Sequence, residues 1–295
     1  MERRGRLGNV AAGTMIARMK KPAKAAKLDL PGPLLLVGAG KMGQAMLDGW
    51  LARGLNPRKV VVVEPQPVKT IKALAKRGAK VNSKTPGQAA AIVIAVKPQT
   101  APDAVPLLVD SVGKGTLVLS IMAGRTLRFI EERLPAGTAI VRAMPNTPAA
   151  VARGITVACA NAHVTAKQRK LATSLLAAIG KVEWVDDEGL IDAVTAVSGS
   201  GPAYVFLLAE AMTKAGIAAG LPPDLAGRLA RETVAGSGEL LHRSDLDAAT
   251  LRQNVTSPGG TTAAALGVLM GPSGFESLLT EAIAAAARRS RELAG

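Results

Sequence analysis

Leu34-Leu35-Leu36-Val37-Gly38-Ala39-Gly40-Lys41-Met42-Gly43 is the stretch that decides the fold. Four apolar residues in a row read as a strand buried on both faces. The glycines that follow are spaced G-x-G-x-x-G, and Ala45, Met46, Leu47, Trp50 and Leu51 then recur with helical period. In that setting the first glycine permits the tight turn, the second lets backbone approach a pyrophosphate, and the third allows close helix–strand packing. A second strand, Lys59-Val60-Val61-Val62-Val63, ends in Glu64. That is close to the spacing of about 20 residues expected of an acid that reads a ribose. Strand, glycine loop, helix, strand and acid together predict a dinucleotide site; a mere glycine-rich loop is the alternative.

Moving outward, Val68 to Arg77 reads as a helix, and Ala91-Ile92-Val93-Ile94-Ala95-Val96 as another fully buried strand ending at Lys97-Pro98. Further strand candidates are 116–120, 139–142 and 155–158, with a helix over 127–134. The alternation argues for an α/β fold with a Rossmann-type, doubly wound parallel sheet. Ligands of such sheets lie beyond the carboxyl ends of the strands, which gathers Gly38, Glu64, Lys97 and Met122-Ala123-Gly124 around one crevice. After Lys181-Val182-Glu183-Trp184 only helical patterns remain. The expected organisation is a basic disordered tail over 1–32, a dinucleotide-binding domain over 33–185, and an all-helical substrate and dimerisation domain over 186–295. The helix carrying Tyr204, Val205, Leu207, Leu208, Ala211, Met212 and Ala215 is apolar around much of its circumference, which favours a subunit interface.

Composition narrows the chemistry. The 295 residues are 48% hydrophobic but only 2% aromatic, so the cores are aliphatic and alanine-rich. Cys159 is the single cysteine, which excludes an internal disulfide and suits a reducing, cytoplasmic setting. His163 and His242 are the only histidines, and neither sits in a pattern suggesting a hydrolytic triad or a metal site. The net charge of +15 is concentrated early: Arg3, Arg4, Arg6, Arg18, Lys20, Lys21, Lys24 and Lys27 face only Glu2 and Asp29 before Gly32. This tail lacks the apolar core of roughly 7 to 15 residues that a secretory signal needs. It reads as a solvated extension, or as sequence upstream of a start at Met15 or Met19. No aromatics interleave its charges as single-strand binding would want, so a nucleic-acid partner is not expected, and it holds no apolar run of about 20 residues, so neither is a membrane.

Near the other end, Ser257-Pro258-Gly259-Gly260-Thr261-Thr262 runs into the apolar Ala263-Ala264-Ala265-Leu266. Glycines opening a helix expose free N–H groups at the positive end of its dipole, a receptor suited to a small carboxylate. An ordinary Pro-Gly turn with a threonine cap is the other reading.

Five segments resemble one family in order and spacing. They are the Gly38–Gly43 loop, Ala95-Val96-Lys97-Pro98, Arg142-Ala143-Met144-Pro145-Asn146-Thr147-Pro148, Ser198-Gly199-Ser200-Gly201-Pro202-Ala203-Tyr204, and Ser257–Thr262. The chain is similar, from about Leu34 onward, to the pyrroline-5-carboxylate reductases. That resemblance implies reduction of L-1-pyrroline-5-carboxylate to L-proline with NADPH or NADH, in a homodimer or a larger ring of dimers. It implies that Gly38, Ala39, Gly40, Lys41, Met42, Gly43, Asn82, Ala95, Val96, Lys97, Pro98, Ile121, Met122 and Ala123 surround the dinucleotide, beside the Glu64 that strand spacing already places there. It also implies that Glu188, Asn254, Ser257, Gly260, Thr261 and Thr262 form the substrate pocket, with the Thr262 hydroxyl on the ring nitrogen as the catalytic contact. Glu188 reads equally as a first-turn helix acid, Asn254 as a helix end, and Arg142 and Asn146 as braces. Many family members carry hydroxyl residues where Glu64 stands. A carboxylate there accepts ribose hydroxyls and repels a 2′-phosphate, a slight lean to NADH that nearby Lys69 could offset. Two other readings stay open: a β-hydroxyacid dehydrogenase, which would want a Lys or His base in the helical domain, and a non-catalytic dinucleotide-binding regulator.

Overall fold

The computed structural model describes residues 27–83 and 87–294. Among them, one compact unit runs to Pro202 and takes in the chain again from Thr280, and the other runs from Ala203 to Leu279.

The first unit is built on an eight-stranded sheet: β1 (Leu34–Val37), β2 (Val60–Val63), β3 (Lys80–Val81), β4 (Ala91–Ile94), β5 (Leu117–Ser120), β6 (Ala139–Met144), β7 (Gly154–Ala160) and β8 (Gly180–Trp184). The strand order is β3-β2-β1-β4-β5-β6-β7-β8. Every residue of β1, β4 and β5 is buried, as continuous apolar runs require when helices cover both faces. Side chains alternate between two cores. Leu34 and Leu36 join Met46, Leu47 and Trp50 of α1 (Lys41–Ala52), while Leu35 and Val37 face Ala101, Val105 and Ile130. α2 (Lys69–Ala75) follows β2, α3 (Ala101–Ala104) follows β4, and α4 (Leu127–Glu131) follows β5.

Two features refine the expected architecture. The sheet is parallel from β3 through β6, and β7 and β8, parallel to each other, run opposite to the rest because β6 pairs with β7 antiparallel. The link between them holds only a short 3-10 turn, Thr147–Val151, and reverses through Ala152 at φ 55°. A parallel return needs a crossover of a dozen or more residues, so this link can make only an antiparallel neighbour. The second feature concerns the expected basic tail. Residues 1–26 lie outside the described residues, but Leu28 and Leu30 are buried in the core beside Trp50 and Leu55, and the Leu28 N–H donates to the Arg53 carbonyl at 2.9 Å. Residues 27–32 are therefore part of the domain.

α5 (Ala166–Leu176) packs on the Trp50 side, and its Leu175 carbonyl accepts the Trp50 Nε1–H at 2.9 Å. α6 (Leu190–Val194) passes through a π-turn, Thr195–Gly199, into α7 (Gly201–Ala218). By length and composition alone, Leu190–Ala218 could cross a membrane.

The second unit is entirely helical among its described residues. It contains most of α7, then α8 (Pro223–Arg243), α9 (Ala248–Asn254), α10 (Thr261–Leu269) and the start of α11 (Phe275–Ala294). Gly216 of α7 sits against Ala226 of α8, and Ala226 and Ala230 are buried. Large apolar side chains stay open to solvent in the single chain, Phe206 at 69% and Val268 at 77%. Monomers rarely tolerate so much exposed apolar surface, so these helices present an interface.

Candidate active site

The glycine loop has the geometry a dinucleotide needs. Gly38 takes φ +89°, and a Cβ there would lie 2.6 Å from the Ala95 carbonyl oxygen. A Cβ on Gly43 would come within 2.3 Å of the Gly38 oxygen, so this glycine is what lets α1 start so close to β1. Gly40 differs, because a Cβ there would meet nothing within 4 Å. Gly40 is also the N-cap of α1 and offers no side-chain cap, which leaves the first-turn amides of Lys41, Met42 and Gly43 directed outward. These residues fit a pyrophosphate.

Loops after three neighbouring strands reach the same edge. The strand ladder continues into them, with the Gly38 N–H on the Val63 carbonyl, the Ala95 N–H on Val37 and the Ile121 N–H on Ile94. Glu64 turns toward the glycine loop, where its Oε2 accepts the Ala39 N–H at 2.8 Å and its Oε1 accepts the Gln66 N–H at 3.1 Å. Asn82, at φ 52°, brackets the Glu64 backbone: its Oδ1 accepts the Glu64 N–H and its Nδ2 donates to the Glu64 carbonyl. Asn82 thus positions Glu64 with both ends of its amide. Lys97 is exposed and caps the 3-10 turn Pro98–Thr100, and Arg125 Nε donates to the Pro98 carbonyl at 3.0 Å, tying this loop to the one after β5. There Ile121 is half-buried, Met122 buried and Ala123 exposed, and the Met122 N–H is held by the Ser120 hydroxyl.

Sequence reasoning missed one pairing. Arg142 Nη1 lies 2.7 Å from Glu188 Oε1, and the same oxygen accepts the Leu127 N–H at 2.8 Å. Arg142 is 4% exposed, and its Nε has no partner among the described residues. Glu188 therefore bridges a buried guanidinium to the first residue of α4. Arg142 and Asn146 both brace: Asn146 Oδ1 accepts the Ile155 N–H across the β6–β7 link. Cys159, the register partner of Arg142, is buried, and that burial, with Glu188 nearby, pushes its thiol up to about 11. A thiol so protonated is no nucleophile at neutral pH.

The remaining expected residues belong to the second unit. Asn254 ends α9. Pro258 and Gly259, with Gly259 at φ +72°, make a tight turn closed by the Gly260 N–H on the Ser257 carbonyl at 3.1 Å. Gly259, in the left-handed region, is the residue the turn demands, while a Cβ on Gly260 would crowd the Ser257 hydroxyl, at 2.6 Å, and the Ser257 carbonyl, at 3.2 Å. Gly260 is the N-cap of α10, again without a side-chain cap, so Thr261, Thr262 and Ala263 present unclaimed first-turn amides. Thr262 is half-buried and Thr261 exposed. No group of three or more potential metal ligands occurs among the described residues.

Comparison with known proteins gives this arrangement its family. A pyrroline-5-carboxylate reductase of Pseudomonas aeruginosa is 39% identical over 264 residues, covering 88% of this chain and 96% of its own length. The chain belongs to the pyrroline-5-carboxylate reductase family. A family relative from Synechocystis is 40% identical over 262 residues. Residues 188–293 match the family description "Pyrroline-5-carboxylate reductase dimerisation", and residues 34–124 match "NADP oxidoreductase coenzyme F420-dependent". Among solved structures, the family enzyme from Coxiella burnetii superposes with a TM-score of 0.83 at 34% identity, covering 90% of this chain and 99% of that one. The Plasmodium falciparum pyrroline carboxylate reductase, solved with NADP bound, gives 0.76 at 29% identity. The dimerisation match coincides with the exposed apolar helices.

Proposed function

We propose that this protein reduces L-1-pyrroline-5-carboxylate to L-proline at the expense of a nicotinamide dinucleotide, the last step of proline biosynthesis. The observation that carries this reading is a family likeness running through nearly the whole length of the relatives. The geometry supports it. The bound dinucleotide supplies a hydride, and the chain's own work is to hold two anionic partners and keep out water. The amides of Lys41 to Gly43 take the pyrophosphate over the open face of Gly40. Glu64, positioned by Asn82, takes the ribose, and the loops 95–98 and 121–123 line the rest. The amides opening α10 take the substrate carboxylate, with Ser257, Gly260 and Thr261 shaping the turn and Asn254 beside it. The Thr262 hydroxyl hydrogen-bonds the ring nitrogen and orients the imine carbon. A protonated imine is already electrophilic, so no His or Cys is required. Functionally, residues 33–185 serve the cofactor and 186–295 the substrate and the dimer, which could close into rings of dimers. A lone free thiol suits the cytoplasm. Glu64 leans the cofactor choice slightly to NADH.

The test follows loss of NADPH or NADH absorbance with racemic pyrroline-5-carboxylate, for wild type and Thr262→Ala. Wild type turns over, and the variant loses about 10- to 100-fold in kcat/KM, the size of one hydrogen bond to a charged group. A wild type that binds cofactor without turnover overturns the reading.

A further inference from the structure

A side chain outside the glycine loop joins two of the loops at the cofactor edge. The ladder between β4 and β5 ends where the Ile121 N–H donates to the Ile94 carbonyl. Beyond that point the loops 95–98 and 121–124 leave the sheet. Each is fixed at its root, one by the Ala95 N–H on the Val37 carbonyl and the other by the Met122 N–H on the Ser120 hydroxyl. Their far ends meet through Arg125, whose Nε donates to the Pro98 carbonyl at 3.0 Å.

Arg125 is held by the helix it precedes. Its guanidinium carbon lies 4.7 Å from the centre of the Phe129 ring, inside the roughly 6 Å over which a cation is attracted to an aromatic face. The ring is itself fixed. Arg133 stands 3.8 Å from the same centre and its Nη1 donates to the Phe129 carbonyl at 2.8 Å, while the Phe129 N–H donates to the Thr126 hydroxyl that caps α4. A contact whose rotamer is locked by packing sets a spacing instead of following it. What this spacing serves follows from the strand order. β2, which leads into Glu64, lies on one side of β1, and β4 and β5 lie on the other. With the adenine-side ribose on Glu64 and the pyrophosphate on the glycine loop, the nicotinamide riboside has to lie across the loops that Arg125 joins.

We infer, on the dinucleotide reading of this edge, that Arg125 is a positioning residue whose bond to Pro98 sets the width of the cleft for the nicotinamide riboside. The experiment is calorimetry on the full chain with NADH or NADPH, whichever binds more tightly, and with the half that lacks the nicotinamide riboside, ADP or its 2′-phosphate. Arg125→Leu keeps an apolar cover on Phe129 but donates nothing. It should weaken the dinucleotide about tenfold, the size of one charge-assisted hydrogen bond, and leave the affinity of the half molecule unchanged. Arg125→Lys keeps one cationic donor and should recover most of the loss. Arg125 is half-buried and lies on a loop, so both variants should melt within about 4 °C of wild type. Arg125→Leu should also lower kcat about tenfold, because the nicotinamide is no longer held in the reacting geometry. A wild type without turnover removes the proposed reaction, while the split between dinucleotide and half molecule still decides the role of Arg125. Equal weakening of both ligands, unchanged dinucleotide affinity in Arg125→Leu, no recovery in Arg125→Lys, a larger fall in melting temperature, or a wild type that binds the dinucleotide no more tightly than its half overturns the proposal.

Discussion

Removing the Glu188 carboxylate should destabilise the protein far more than a half-exposed acid ordinarily does. Its Oε1 is 2.7 Å from Arg142 Nη1 and 2.8 Å from the Leu127 amide, and the Arg142 side chain is only 5% exposed. Glu188→Ala leaves that guanidinium buried without a counterion, a change that costs about 3–5 kcal/mol when one partner of a buried pair is deleted. Glu188 itself is 28% exposed, so water can reach the vacated place, which argues for the lower end, about 3 kcal/mol. At roughly 2–4 °C per kcal/mol for a chain of this class, the melting temperature should fall by about 6–12 °C. The companion variant Glu188→Ala/Arg142→Met removes the orphaned charge with its partner and should recover most of the loss, since an apolar replacement of a buried pair is often neutral. The assay is thermal unfolding of wild type, both single variants and the double. A Glu188→Ala protein melting within about 2 °C of wild type, or a double variant less stable than Glu188→Ala, refutes the reasoning. A large fall in kcat/KM at an unmoved melting temperature would instead put Glu188 on the substrate.

Three further outcomes are expected. Gly40→Ala should fold normally, because its Cβ has open space at φ −67°, yet raise the KM for cofactor about tenfold, whereas Gly43→Ala should fail to fold because its Cβ would overlap the Gly38 oxygen; circular dichroism and kinetics separate the two. Glu64→Ser should raise the NADPH/NADH ratio of kcat/KM, and an unchanged ratio removes Glu64 from cofactor choice. Cys159, buried with its thiol raised to about 11, should resist a disulfide reagent at pH 8 in the native protein and react fully once unfolded; rapid native labelling would contradict its burial.

The glycine loop was legible because its constraint is local: which glycine must be small follows from strand, turn and helix lying consecutively in the chain. The reversal at β7 was not, because a strand candidate carries no direction. The missing helix between 142 and 155 was the available signal. α5 was announced by its capping box, Thr165 with Gln168, a pattern readable in sequence but overlooked. The two-residue β3 is too short for any periodicity, and Leu28 and Leu30 were masked by the basic residues around them. The Arg142–Glu188 bridge joins residues 46 apart, and nothing local marks either as buried or paired. The Ser257–Gly260 turn was readable for the same reason as the first loop, its glycines being demanded by neighbours in sequence.

The central position of β1 has a consequence for synthesis. Its neighbours are β2 and β4, both of which come later in the chain. A ribosome adding about 5–20 residues per second takes roughly 3 to 11 s to go from Val37 to Ile94. Throughout that interval Leu34–Val37 has at least one edge unpaired and apolar side chains on both faces. The strand from which the cofactor loop hangs therefore emerges well before its second neighbour has been made.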